Sequence, residues 1–510
     1  MTDELFPQHD DNPPPLTLEQ ASVQKPNKRA KLWEDPNRRP IRGLAWLAWI
    51  VVIGLTGFMM LTAVLVRGEQ RQAETTKGEL LAPILAGKIV VGLRELGIES
   101  KSQQIAEMPE QFLPQLNAGP IEQRLCFAIL TSEIKSATDG LQALDDLKEN
   151  TTKADFQYNE KQVRLESILR NVFQQNSEGQ ELDLPDNDQE FLTSEIPWFG
   201  SLALNPKQGG VGQRQQILDK TKWSMNFALF FFLGGGLCFL IGIGLFFMFL
   251  VKMFRGTLKH RMVDNSKYGP VYIETFAVWF LLFVGISFFV GSQIESKVGL
   301  SVITLMMGLP LLALAWPVIR GVSLPELLDD VGLKPCNPLK EMLAGIVAYL
   351  ALLPLLSVGL ILSVIVMAML ELFKSGGGVA SEFAPRGVPH PIANEAFGGD
   401  LTSVFMLIFV MACVLAPLTE EIMFRGVLYR NLRDSSRHMY RVGSICFAAL
   451  LSSVIFAAIH PQGIAGLPVL TALAFGFCLV RQWRGSLIAP ITMHALHNGL
   501  ASATLIPMLV

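Results

Sequence analysis

Charge is scarce in this chain of 510 residues: Asp, Glu, Lys and Arg make up 17% of it, while half the residues are hydrophobic. Soluble domains carry about 25% charged residues, and the mean hydropathy here is +0.37. An ordinary soluble enzyme does not fit those figures. Long apolar runs beside one polar stretch point to a membrane protein with a sizeable extramembrane part. A basic field is also missing, because the net charge is −3, so nucleic-acid binding has no support. Cysteine is sparse. Cys126, Cys238, Cys336, Cys413, Cys446 and Cys478 are scattered, none forms a CxxC pair, and four lie inside apolar runs. A disulfide framework or a zinc knuckle is therefore not expected. There is no Gly-x-Ser-x-Gly elbow, no His-Glu-x-x-His helix motif and no repeat of the transporter kind.

A spanning helix needs about 20 mostly apolar residues. Nine segments qualify: Gly43–Val66, Met225–Val251, Val271–Gly291, Gly299–Ile319, Met342–Leu370, Leu401–Val427, Gly443–His460, Gly466–Val480 and Ser486–Leu509. Trp46 and Trp49 mark an interfacial belt at the start of the first. A polar stretch of about forty residues precedes it, so it is not a cleavable signal peptide. Lys28, Arg29, Lys31, Arg38, Arg39 and Arg42 lie ahead of it, which places the N-terminus in the cytoplasm by the positive-inside rule. The expected fold is all-α, a polytopic bundle of about nine spans with a mostly helical extracytoplasmic domain inserted after the first. The divisions are a disordered cytoplasmic tail at 1–42, the first span at 43–66, the inserted domain at 67–222, spans and loops at 223–400, and a core at 401–505. The inserted domain has helical leucine spacing and no motif that carries chemistry.

Ionisable groups inside spans are costly, and are functional candidates by default. Here they gather near the C-terminus. In the run Pro417-Leu418-Thr419-Glu420-Glu421-Ile422-Met423-Phe424-Arg425, Glu421 and Arg425 stand at i and i+4 and can pair. Glu420, turned about 100° away, remains available as a general base. Pro417 removes a backbone donor and is expected to bend or open the helix. A helix leaving the membrane, with Arg430 and Arg433 beyond it, is the plainer reading of that run. Phe456 and His460 share a face at the end of another apolar segment. A histidine there serves as acid, base or ligand, or simply sits at the interface. His494 and Asn498, again at i and i+4, put two hydrogen-bond donors on one face, as a developing oxyanion requires. Polar glue between helices is the alternative. His497 lies one turn from His494 and is a candidate supporting partner.

The combination is more specific than its parts. Glu-Glu-x-x-x-Arg, Phe-x-x-x-His and His-x-x-x-Asn occur in that order, each on its own apolar segment. With these motifs the chain resembles the CPBP family of CAAX proteases and bacteriocin-processing enzymes, also called Abi, which includes the type II CAAX prenyl endopeptidases. The resemblance covers roughly Leu401 to Leu505. It implies an intramembrane endopeptidase with a cavity between helices. By resemblance, Glu420 and His460 hold and activate the attacking water, and His494 and Asn498 stabilise the oxyanion. Glu421 and Arg425 orient the arrangement. No cofactor is certain. Zinc is the open alternative, with Glu420, His460 and His494 as its ligands, and the chemistry expected here is a glutamate-activated water without metal.

The expected setting is a bacterial inner membrane. The expected partners are the bilayer and a membrane-associated protein, a prenylated tail or a peptide precursor as substrate, with the extracytoplasmic domain as a site for a protein partner. The alternative function is a non-catalytic membrane scaffold or immunity-type protein that retains the fold. A transporter ranks last, because repeat symmetry is absent. One tension stands. The topology puts Glu420 and His494 near the cytoplasmic ends of their helices, and His460 at the far end of a helix that starts inside. At 1.5 Å per residue that is about 25 Å of travel, so for the three groups to meet these helices must be long, tilted or broken, or a boundary must be misplaced.

Overall fold

A computed structural model describes residues 42–69, 77–95, 116–207, 211–262, 268–293, 306, 308–374 and 406–504. The expected disordered tail, the loop after Lys374 and the starts of the spans at Gly299 and Leu401 lie wholly or partly outside those residues. Among the described residues all regular structure is helical. In chain order the α-helices are α1 (Arg42–Glu69), α2 (Leu81–Glu95), α3 (Ile121–Ile134), α4 (Ala137–Lys153), α5 (Glu160–Ser177), α6 (Asp186–Glu195), α7 (Pro197–Leu204), α8 (Val211–Phe254) and α9 (Gly269–Gln293). They continue as α10 (Ala315–Ile319), α11 (Leu324–Val331), α12 (Pro338–Lys374), α13 (Ala416–Glu421), α14 (Tyr429–Ser435), α15 (Arg441–Ala458), α16 (Gly463–Arg484) and α17 (Ile488–Ala503).

Helices α2 to α7 and the start of α8 form the inserted domain around a core of their own, which includes Leu125, Leu165, Phe173, Leu192, Phe199 and Leu218. Local chemistry sets its helix ends. Ser136 caps α4 by accepting from the Asp139 amide. Asn159 and Gln162 exchange side-chain and backbone hydrogen bonds in a capping box that starts α5. Cys126, the domain's single cysteine, is buried and free. Apolar burial, rather than a disulfide, therefore holds this domain together.

Six described helices are long and apolar enough to cross a membrane, within α1, α8, α9, α12, α15 and α16. The remaining expected spans appear as shorter pieces: Leu309–Ile319 is a short apolar helix, and α17 has 16 residues. Boundaries also differ from expectation at α8, whose 44 residues run without a break from the inserted domain into the bundle. Hydropathy marks only the apolar part of such a helix, because its polar start packs on α2 instead of lipid. In the bundle α12 touches α8, α16 and α17, α15 packs on α16, and α1 lies against α9.

The segment carrying Glu420 is the least regular helix. Two π-helical stretches, Met406–Leu415 and Ile422–Leu428, flank α13, and α14 follows directly. Pro417 accounts for part of this. It cannot donate a backbone hydrogen bond, its ring crowds the carbonyl one turn earlier, and a wider turn upstream relieves the contact. The rod continues about 20 Å past Glu420 at 1.5 Å per residue, so Glu420 lies at mid-length. Arg430 and Arg433 are buried, at 1% and 7% exposure. They pack inside the protein instead of projecting from the end of the rod. The rod is pinned at this end by α11, whose C-cap Gly332 adopts φ +94. A side chain at Gly332 would collide with the Arg481 guanidinium, 2.5 Å from its Cβ position.

Candidate active site

The three motifs converge. Glu420 and Glu421 come from α13, His460 from the turn just after α15, and His494 from the middle of α17. Helix α15 stops at Ala458, and the turn that follows brings His460 to Glu420. The three groups meet because Glu420 lies at mid-length of its rod and His494 at the middle of α17, both level with the end of α15.

Glu421 is fully buried and Arg425 is 1% exposed. Arg425 Nη1 donates to Glu421 Oε1 at 2.9 Å, as the i, i+4 spacing predicts. Its Nη2 donates to the Ala474 carbonyl at 3.3 Å, which ties α16 to the pair. Aromatic faces complete the surroundings of the guanidinium: its centre lies 4.6 Å from the Phe456 ring and 5.0 Å from the Phe477 ring. The same carboxylate oxygen of Glu421 is 2.8 Å from His494 Nδ1. Glu421 is therefore a bridge between Arg425 on its own rod and His494 on α17. The Phe477 ring, stacked 5.3 Å from that imidazole, fixes the plane. Phe477 and the Ala474 carbonyl carry no sequence signal, since an apolar residue in an apolar run reads as core.

Glu420 points elsewhere, as its rotation from Glu421 requires. Its Oε2 is 3.8 Å from His460 Nε2 and 3.9 Å from His494 Nε2. These distances are too long for direct hydrogen bonds, and Oε2 is buried with no hydrogen-bond partner in the protein. His460 Nδ1–H donates to the Phe456 carbonyl at 2.6 Å, which fixes the tautomer and leaves the Nε2 lone pair facing Glu420. The two remaining residues behave differently from each other. Asn498 donates to the Ala412 carbonyl of the upstream π-turn at 2.7 Å, so one amide proton is committed and a second is available. His497 does not support His494: its Nδ1 is 3.1 Å from the Tyr349 hydroxyl of α12.

The donor set of Glu420, His460 and His494 has the chemistry of a zinc site, one carboxylate and two imidazoles whose other nitrogens are engaged. As placed, these atoms are set wider than a tetrahedral zinc site requires. Ligands at about 2.0–2.1 Å from zinc could span 3.8 and 3.9 Å only at angles well beyond tetrahedral. Among the described residues, no group of three or more His, Cys, Asp or Glu side chains is arranged to hold a metal.

The cluster falls in a stretch that is similar to a family of membrane proteases. Residues 402–500, which contain all seven motif residues, match the family model for Type II CAAX prenyl endopeptidase Rce1-like, so the chain carries an Rce1-like domain there. A curated Bacillus subtilis (strain 168) protein named "Putative membrane peptidase YdiL" is 28% identical over 143 residues. That match takes in 28% of this chain and 55% of the relative, so the chain spans about half of the relative's length. No solved structure matches the chain.

Proposed function

We propose that this chain is an intramembrane endopeptidase that uses Glu420 to activate water. The observation that carries the reading is the buried Glu420 oxygen without a protein partner, faced at 3.8 and 3.9 Å by two imidazole nitrogens. Buried carboxylates are ordinarily hydrogen-bonded, and a gap of this size between polar atoms suits a small polar molecule more than direct contact. Water bound there gives a proton to Glu420, with the His460 Nε2 lone pair accepting its second hydrogen and aiming the oxygen. The hydroxide so formed attacks the carbonyl carbon of the scissile bond. Glu420 then passes its proton to the departing nitrogen as the C–N bond breaks, so the water is divided between the two products.

His494 and Asn498 would stabilise the tetrahedral oxyanion. His494 would donate from Nε2, its ring held through Nδ1 by Glu421, which Arg425 holds in turn. Asn498 would donate its uncommitted amide proton. Arg425 and Glu421 touch no substrate in this scheme and position His494. No step passes through a metal.

The substrate is a membrane-associated protein, a prenylated tail or a peptide precursor, reached from within the bilayer. The nine-span bundle, the cytoplasmic N-terminus and the placement of the inserted domain outside the cytoplasm form part of this reading. The basic residues ahead of α1 support the cytoplasmic N-terminus. Comparative membrane proteomics of cells carrying wild type or Glu420→Ala tests it. Substrates accumulating uncleaved in the variant are expected, and identical profiles at equal protein levels would refute it.

A further inference from the structure

Helix α8 raises a separate question, because Gly234, Gly235 and Gly236 stand together in its middle. Glycine in a helix interior is unfavourable, since it loses more backbone freedom than any other residue. Close packing is the usual compensation. Lower on α8, Gly242 has that reason: a Cβ there would collide with the Leu350 carbonyl of α12. The three consecutive glycines do not, because a Cβ at any of them would meet nothing within 4 Å.

Their position along the helix is distinctive. Above them α8 is fastened to the inserted domain. Arg214 pairs with Glu133 at 2.6 Å, Trp198 Nε1–H donates to Thr221 at 3.1 Å, and Met225 is buried against Gly92. Below them α8 is fastened to the bundle, through Gly242 on α12 and through Phe249, whose ring meets Trp483 of α16 at 5.0 Å. Between Met225 and Gly242 no residue of α8 is buried. That free length is about 25 Å at 1.5 Å per residue, and the glycines lie near its centre. Sharp bends in helices form where glycine weakens the backbone.

We propose that Gly234–Gly236 are a pivot within α8, about which the inserted domain tilts over the membrane bundle. The lower half of α8 stays packed on α12 during this motion, so the arrangement of α16 and α17 around His494 is left undisturbed. The pivot therefore lets the inserted domain accommodate partners or substrates of different heights above a fixed catalytic core.

The test uses the full chain in nanodiscs, with spin labels at exposed Lys148 of α4 and Arg437 beyond α14, incorporated without using cysteine. Wild type is compared with the triple variant Gly234→Ala, Gly235→Ala, Gly236→Ala and with the control Gly244→Ala, another open glycine of α8 that lies below the anchor. A broad label-to-label distance distribution in wild type and the control, narrowed to less than half that width in the triple variant, is expected. Hydrogen exchange at amides 232–238 should be faster than at 243–249 in wild type and should slow in the triple variant. Equal widths in wild type and triple variant would overturn the pivot. So would a glycine-dependent dimer, seen by light scattering, that is lost in the triple variant without any change in intramolecular width, because it would make the glycines a contact between two copies.

Discussion

Two buried polar clusters lie on the same rod, roughly one and a half turns apart, and they are built differently. At the C-terminal end of the rod, Arg430 is 3.2 Å from Asp330 and 3.3 Å from Asp434, and Arg433 donates to Gln482 at 3.2 Å and to Ser444. Tyr272 donates to Asp330 at 2.7 Å, Tyr429 to Gln482 at 3.1 Å, and Arg481 to the Asp330 carbonyl at 2.9 Å. Each arginine there is held at contact distance, and the bonds tie α9, α11, α14, α15 and α16 together. The cluster around Glu420 has one half of that kind, the Arg425–Glu421–His494 chain, and one half in which polar atoms face each other without touching. Closed contacts bring stability and fix helix positions. Atoms aimed at one point but kept apart leave room for chemistry.

Cutting each cluster at an equivalent arginine tests that contrast, and gives the largest expected effect. Removing one partner of a buried ion pair costs about 3–5 kcal/mol, so Arg430→Met and Arg425→Met should both lower the unfolding temperature in detergent. They should separate in activity per folded molecule. Arg430→Met retains it, whereas Arg425→Met loses it because His494 is no longer held. Equal retention by both would remove the positioning role of Arg425. A smaller effect is expected at Asn498. Loss of one oxyanion donor costs on the order of 10²–10³ in kcat, so Asn498→Ala should reduce kcat with little change in KM. A change confined to KM would assign Asn498 to substrate binding. The smallest effect is expected from exhaustive chelation, which should leave cleavage unchanged. Activity lost on chelation and restored by added zinc would replace the Glu420-activated water with a metal-bound one.

The sequence disclosed the site through scarcity. In a chain with few charges, Glu420, Glu421, Arg425, His460 and His494 stand out in apolar runs, and helical spacing alone pairs Glu421 with Arg425. What it could not disclose was set by contacts between distant segments. Glu421 meets His494 across 73 residues, and His497 meets Tyr349 across 148, so its proposed partnership with His494 on spacing grounds was displaced by a hydroxyl from another helix. Arg430 and Arg433 read as a membrane exit because Asp330 and Gln482, which bury them, come from a loop helix and from α16. The turn after α15 was legible, since the apolar segment ends at His460, but the residue it would face was not. The great length of α8 was hidden because hydropathy reports lipid contact and not helix continuity.

In the proposed reaction Glu420 is a reacting group and not a structural one. The most direct measurement is the cleavage rate of purified Glu420→Gln in proteoliposomes, read together with its unfolding temperature. A general base contributes about 10²–10⁴ in rate. The account predicts a fall of that order at an unchanged unfolding temperature, because no protein bond to Glu420 Oε2 is lost. Cleavage at the wild-type rate by the folded variant would contradict it.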